Sequence, residues 1–507
     1  MLFNSYLFIF LFLPIALSGY FLMNRLKHYA MAKYFLIGMS LWFYAYFNIS
    51  YLGIITASIA LNYLCHLLLL KRIHPKTVLT GGILGNLAIL FYFKYFSFFV
   101  ESISKLAHLD AFVPDILLPL GISFFTFQQL GFLIDTARGG VSRQSVSDYA
   151  LFVTFFPQLI AGPIVSHEEM LPQFQDISKK SFCFAHFYAG LRLFILGLAK
   201  KVLLADTFGA AANWGFQHYA SLDALNTLLV ILSYTFQLYL DFSGYCDMAR
   251  GLGLMFNIKI AVNFLSPYKA VNIRDFWDRW HITLSRFFTR YLYIPLGGSR
   301  KGMARTCLNI LIVFLCSGIW HGAGWTFLLW GFLHGVFNVL TRIWQNAKEK
   351  RKHEKPLPAQ KDSPIWQKRL LRGISVLLTF FFVMLTWTFF RADTIKQAVD
   401  MLKKLFSPLE NMHRGFRVQK EIFRAFQLPE LFYILKFFKL DTLPLGSCYC
   451  MFLFFAAAII LIFFCKNLYE TENSHKPRII KTVGLSVLFV WCVLSFSGVS
   501  TFLYFNF

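Results

Sequence analysis

The chain has 507 residues, 57% of them hydrophobic and only 15% charged, against about 25% charged in a soluble domain, which excludes an ordinary soluble enzyme. Its net charge of +24, from 49 basic and 25 acidic residues, is spread over short segments between apolar runs, as cytoplasmic loops and anionic headgroups require. No RNP-like, zinc-finger or basic-zipper pattern is present, so no nucleic-acid partner is expected.

The apolar segments are long enough to cross a hydrocarbon core at about 20 residues each, and they lack the short alternating strands of a barrel. The expected fold class is therefore all-α and polytopic. The N-terminal run MLFNSYLFIFLFLPIALSGYFLM has no basic n-region, and Arg25 and Lys27 follow it. This predicts a retained first span rather than a cleaved signal. Tyr34–Leu70 is too long for one span and should break near Asn48–Gly53. Val78–Val100 crosses outward to Glu101–Asp115. Pro119–Asp135 carries Ser123, Thr126, Gln128 and Gln129, as a helix lining a polar interior would.

Phe152–Ile164 contains Pro157, Gly162 and Pro163, and predicts either a re-entrant helix or an ordinary proline kink. Ala224–Gly253 is apolar but interrupted by DFSGYCDMARGLG, which places Asp241 and Asp247 near membrane depth. These are candidate substrate-binding residues; an Asp247–Arg250 pair with Asp241 as a cap is the structural alternative. Ile273–Arg300 reads as one amphipathic helix at about 100° per residue. Arg279, Arg286 and Arg290 form one stripe; Trp277, His281, Leu284 and Phe288 form the other, with Ser285 close to His281.

Arg305–Trp344 is almost wholly apolar, yet it holds His321 among Gly318, Gly322 and Gly324. An ionisable residue at this depth is a functional candidate. The stretch is either two spans meeting at His321–Gly324 or one long tilted helix with a shorter one. Arg342–Arg372 is a basic cytoplasmic linker. Leu370–Phe390, Tyr449–Cys465 and Thr482–Phe507 are further spans, and Asp393–Asp441 is interfacial. The chain is taken as one membrane domain, 1–507: N-terminal helices 1–118, a catalytic core 119–341, the linker 342–372 and C-terminal helices 373–507.

His281 and His321 both follow a tryptophan, Trp280 and Trp320. A neutral imidazole is a natural base for a hydroxyl nucleophile, and the glycines around His321 leave room for substrate or oxyanion donors. His281, His321, His334 and Cys316 show no metal-ligand spacing, so no metal is expected. No nucleophile elbow or P-loop occurs. The nine cysteines include no CxxC and read as free thiols, with Cys448 and Cys450 redox-active only if exposed outside the cytoplasm. No internal repeat supports a transporter, though a transporter or an inactive scaffold stays open at this level.

Seven segments in order then carry a resemblance: FPQLIAGPI (Phe156–Ile164), DFSGYCDMARGLG (Asp241–Gly253), NFLSPY (Asn263–Tyr268), FWDRWHITLSRFFTRYLYIPLGGSR (Phe276–Arg300), GIWHGAGWTFLLWG (Gly318–Gly331), TWTFFRA (Thr386–Ala392) and FLYFNF (Phe502–Phe507). Together they resemble the membrane-bound O-acyltransferases, most closely the bacterial branch of alginate O-acetylation proteins, peptidoglycan O-acetyltransferases and teichoic-acid D-alanyl transferases. The resemblance implies a ring of tilted helices around a tunnel, His321 as the catalytic histidine and His281 as a second, supporting one. Trp320, Asp241, Asp247, Arg279 and Ser285 are the substrate-binding candidates. Arg279, Arg286, Arg290, Arg300 and Lys301 are candidates for lipid or donor phosphates. It also implies a bacterial inner-membrane location, acetyl-CoA or an acyl carrier protein as donor with no tightly bound cofactor, and a periplasmic partner that modifies a glycan.

Overall fold

The computed structural model describes residues 1–108, 112–114, 116–354, 364–407, 418–427, 436–439, 446–470, 479–498 and 502–503. Among them, seven helices are long and apolar enough to cross a bilayer, and Tyr449–Phe464 and Ile479–Leu494 are shorter apolar helices. The chain forms two compact units. One comprises Met1–Ala199, Phe242–Val262 and His475–Phe507; the other comprises Lys200–Asp241 and Asn263–Ser474.

In the first unit, helices Tyr29–Ala45 and Ser50–Leu70 separate where the sequence predicted a break. The inward polar residues join helices. Asn62 and Asn86 exchange amide hydrogen bonds (3.2 and 2.7 Å), Gln129 donates to Ser58 Oγ, and Tyr149 donates to Gln129. In an apolar surrounding such pairs fix which helices meet. The predicted interruption lies at Phe155, between Val146–Thr154 and the single turn Phe156–Leu159. The backbone freed there is satisfied by protein: Phe156 N–H donates to Ser40 Oγ, and the Gln158 amide donates to Phe152 O. Leu151–Val165 is buried throughout, the condition under which irregular backbone is tolerated at membrane depth.

Ala224–Met255 is one continuous helix, so DFSGYCDMARGLG does not break it. Its charges are neutralised in place. Asp241 pairs with Lys201 at 2.6 Å, and Lys201 also reaches Asp206 at 2.8 Å. Asp247 faces Arg250 at 3.9 Å. In the first unit its glycines permit close helix approach: a Cβ on Gly251 would lie 2.6 Å from Gly190 O, and one on Gly197 2.6 Å from Gly244 O.

In the second unit, Met303–His321 and Trp325–Glu354 form a helical hairpin, the two-span alternative. Helix therefore covers the start of the predicted linker. Residues 355–363, with most of the PLPAQKDSP segment, lie outside the described residues, as does much of Asp393–Asp441. Within the latter, Ile395–Phe406 is an amphipathic helix capped by Thr394. The eight cysteines described are free thiols, and Cys450 is buried; the side chain of Cys448 lies outside the described residues.

Ile273–Arg300 is not one helix. It divides into Ile273–Trp277, Ile282–Phe288 and a π-turn Thr289–Tyr293. The break is at His281, whose φ of 46° and ψ of 51° are left-handed. The face assignment survives the break, because Trp277, His281, Leu284 and Phe288 are all buried.

Candidate active site

His321 is the last residue of its helix, directly before the turn Gly322–Gly324. Its Nδ1 lies 2.7 Å from the Ser317 carbonyl, one turn back. A carbonyl only accepts, so Nδ1 carries the proton and the neutral ring keeps its lone pair on Nε2.

Three glycines near His321 sit at close contacts of the hairpin. A Cβ on Gly318 would sit 2.5 Å from Phe327 O, one on Gly331 2.4 Å from Phe314 O, and one on Gly322 2.2 Å from the Phe327 ring. The Gly322 N–H is already used by Gly318 O. At Gly318 and Gly331 the obstacle is backbone, so the hairpin closes there only without side chains, whereas Gly324 meets only ordinary contacts.

His281 reaches the same place from the broken Ile273–Tyr293 segment. Its Nδ1 is 3.3 Å from Asn263 Oδ1, and that oxygen also accepts from Thr283 N–H and Thr283 Oγ. The two imidazoles lie 6.4 Å apart between ring centres, and Trp320 packs edge-on to both, 5.9 Å from His281 and 5.0 Å from His321. Burial, reinforced by His321, pushes the His281 ring well below the ordinary imidazole range, so it is neutral at physiological pH.

Trp330 and Phe390 complete the surround, 5.0 and 5.4 Å from the His321 ring. Trp330 is fully buried, and its indole N–H has no hydrogen-bond partner among the described residues. Behind it, His334 is structurally committed. Trp277 donates to His334 Nδ1 at 3.2 Å, His334 Nε2–H donates to Thr386 Oγ at 2.9 Å, and Thr386 Oγ donates to Val383 O. Each donor and acceptor in this chain is used, and it ties three helical segments together.

The other expected residues scatter. Asp247, in the first unit, faces Arg250, as the structural alternative expected, whereas Asp241 is no cap: it lies inside the helix Ala224–Met255 and is held by Lys201. Arg279 donates to Asp275 at 2.6 Å and to Leu265 O. Arg290 lies over its neighbour Tyr291. Ser285 lies beside the site: it lines a cavity of about 220 Å³ together with Arg274, Asn338, Arg342 and Ser317. That cavity therefore reaches the residue whose carbonyl holds His321. Sequence reasoning missed Asn263 and Thr386 as supports, whose only signal was their place inside quoted motifs, and weighed His334 only as a metal ligand. The group nearest to metal-ligand spacing among the described residues is Asp135, His167 and Glu168 in the first unit. There Asp135 stands 3.8 Å from both Arg138 and His167, as in an ion-pair cluster.

The sequence model of the family described as MBOAT, membrane-bound O-acyltransferase family, matches residues 133–355, which contain both histidines and the hairpin. A peptidoglycan O-acetyltransferase of Helicobacter pylori is 38% identical over 100% of this chain and 98% of its own length. A probable alginate O-acetylase AlgI of Azotobacter vinelandii is 35% identical over 80% of this chain and 78% of its own. A teichoic acid D-alanyltransferase of Bacillus subtilis is 24% identical over 62% of this chain and 77% of its own.

Proposed function

This chain belongs to the membrane-bound O-acyltransferase family and is a multi-pass bacterial membrane O-acyltransferase, and we propose that it moves an acetyl group from a cytoplasmic donor toward hydroxyls of an extracytoplasmic cell-envelope glycan. The observation that carries this reading is the pair of buried imidazoles, each with Nδ1 on a carbonyl oxygen and so with Nε2 as the proton acceptor. His321 Nε2 takes the hydroxyl proton as the acceptor oxygen attacks the acyl carbonyl of a thioester. The tetrahedral oxyanion collapses, the C–S bond breaks, and the proton passes from the imidazolium to the departing thiolate. The Trp330 N–H, buried against the same ring, is the donor we assign to the oxyanion.

The donor, acetyl-CoA or an acylated carrier protein, would approach through the cavity at Ser317. Its arginines, Arg274 and Arg342, suit the phosphates that both donors carry. The basic segments flanking the hairpin support a cytoplasmic mouth. Likeness over the full length to a peptidoglycan O-acetyltransferase favours peptidoglycan as acceptor over alginate, and acetyl over D-alanyl. A periplasmic partner completing the transfer belongs to the same reading.

The test is the acyl content of isolated glycans from cells expressing wild type or His321→Ala at matched protein level, with the released acid identified. Acetate from peptidoglycan, lost in the variant, is the expected result. Release of D-alanine would overturn the acetyl assignment, and undiminished acetate in His321→Ala would overturn the role of the histidine.

A further inference from the structure

We propose that Asn263 is a positioning residue of the acyl-transfer reaction, holding His281 as the Nδ1–H tautomer through its side-chain oxygen and so keeping the ring neutral, with its lone pair on Nε2. The inference rests on the reading of His281 and His321 as one site. It adds what makes the second imidazole usable.

The hydrogen bonds leave one assignment. Thr283 N–H donates to the Asn263 side chain at 3.1 Å, and a backbone amide can only donate, so the receiving atom is the oxygen. The same oxygen accepts from Thr283 Oγ at 2.9 Å and faces His281 Nδ1 at 3.3 Å. Nδ1 must therefore carry the proton. The main-chain carbonyl of Asn263 accepts from Ile282 N–H at 3.1 Å. One residue thus fixes both residues that follow His281. It thereby holds a left-handed backbone that residues other than glycine rarely adopt. Asn263 is itself 1% exposed, so water does not compete for these bonds.

The chemical point is that the support is an amide and not a carboxylate. A carboxylate behind an imidazole stabilises the imidazolium; an amide oxygen orients the ring without adding charge. His321, on the helix Met303–His321, is a titratable group packed against His281, and Trp320 beside both is neutral. Two imidazoles this close cannot both be protonated at low cost. An amide at Asn263 adds no charge that would favour a second proton and leaves His281 as a hydrogen-bond acceptor.

The experiment is nitrogen NMR of the full chain in lipid nanodiscs, with ring-labelled histidine and the His281 signals assigned by their loss in His281→Gln. Wild type should show the Nδ1–H tautomer. Asn263→Leu should convert it to a mixture, while His334, locked between Trp277 and Thr386, keeps its Nε2–H signal and reports that the fold is intact. Should the leucine variant fail to fold, Asn263→Asp keeps every acceptor bond and carries the test. It should produce imidazolium signals for His281 near neutral pH and move the acidic limb of the rate profile upward by about one pH unit, a tenfold change in proton occupancy. An Nε2–H tautomer in wild type, an unchanged tautomer in folded Asn263→Leu, or an unshifted profile in Asn263→Asp would overturn the proposal. The NMR signature needs no turnover. If it holds while His281→Ala retains full activity, the catalytic reading of His281 fails and the positioning of its ring stands.

Discussion

His321 Nδ1 and the Ser317 carbonyl, 2.7 Å apart within one helical turn, decide which nitrogen of the imidazole can act as a base. The ring is oriented by this backbone carbonyl, with Ser317 Oγ 3.5 Å from the same nitrogen, so its tautomer is built into the helix end. His281 depends instead on a residue 18 positions away in sequence. The two histidines should therefore respond differently to substitution. His321→Ala should lower turnover by about 10³-fold, the loss of a general base. His281→Ala should cost less, about 10–100-fold, as the loss of an orienting hydrogen bond does. Initial rates of acyl transfer by purified variants at saturating donor rank them.

Trp330 gives a second prediction. Trp330→Phe keeps an aromatic ring against His321, removes the N–H and opens a small void where the rest of the indole stood. Turnover should fall by at least tenfold, within the range for loss of one oxyanion donor, while KM for the donor changes little. A change confined to KM would move Trp330 out of the transition state.

The hairpin glycines predict a steric result. Gly331→Ala places a Cβ 2.4 Å from the Phe314 carbonyl, and Gly318→Ala one 2.5 Å from the Phe327 carbonyl. Both obstacles are backbone, so the helices must separate. Each variant should lose about 1–3 kcal/mol of stability and lower its unfolding temperature in detergent. Gly324→Ala, which meets only ordinary contacts, should be nearly neutral.

The Lys33–Asp148 pair, at 2.5 Å, predicts a pH dependence. Burial raises the Asp148 carboxyl, but the hydrogen bond and charge of Lys33, with Ser145 and Gln175, outweigh it and hold the group below the usual carboxylate range. A depressed folded-state value means that the ionised pair stabilises the fold above the unfolded value of about 4. That contribution disappears as pH falls through the lower, folded value. Lys33→Met should cost about 2 kcal/mol at pH 7, with the difference from wild type shrinking below pH 4. A difference constant with pH would mean that packing, not charge, holds this contact.

Much of the fold was legible because apolar length and basic flanks report helices directly. The breaks at residues 46–49 and at Phe155, and the hairpin at His321, follow from glycine, proline and polarity. The Asp247–Arg250 pair was one of the two readings the sequence offered, but the continuity of Ala224–Met255 was not legible: Asp241 looks like an interruption until Lys201 is brought beside it. Nor was the break at His281. Periodicity across Trp277–Phe288 is helical on both sides, and the left-handed residue between them is imposed by Asn263, which a local pattern cannot reveal. The histidines stood out because ionisable groups are rare in apolar runs. Their supports did not, since asparagine, threonine and a backbone carbonyl acquire meaning only from what they touch.

The most direct test of the account is the single-turnover rate of acyl transfer from a labelled acetyl donor to a hydroxyl acceptor by His321→Ala in nanodiscs. Donor binding and unfolding temperature are measured on the same sample. The account predicts a rate about 10³-fold below wild type with binding and stability retained. A rate within tenfold of wild type in that folded, donor-binding variant would contradict it.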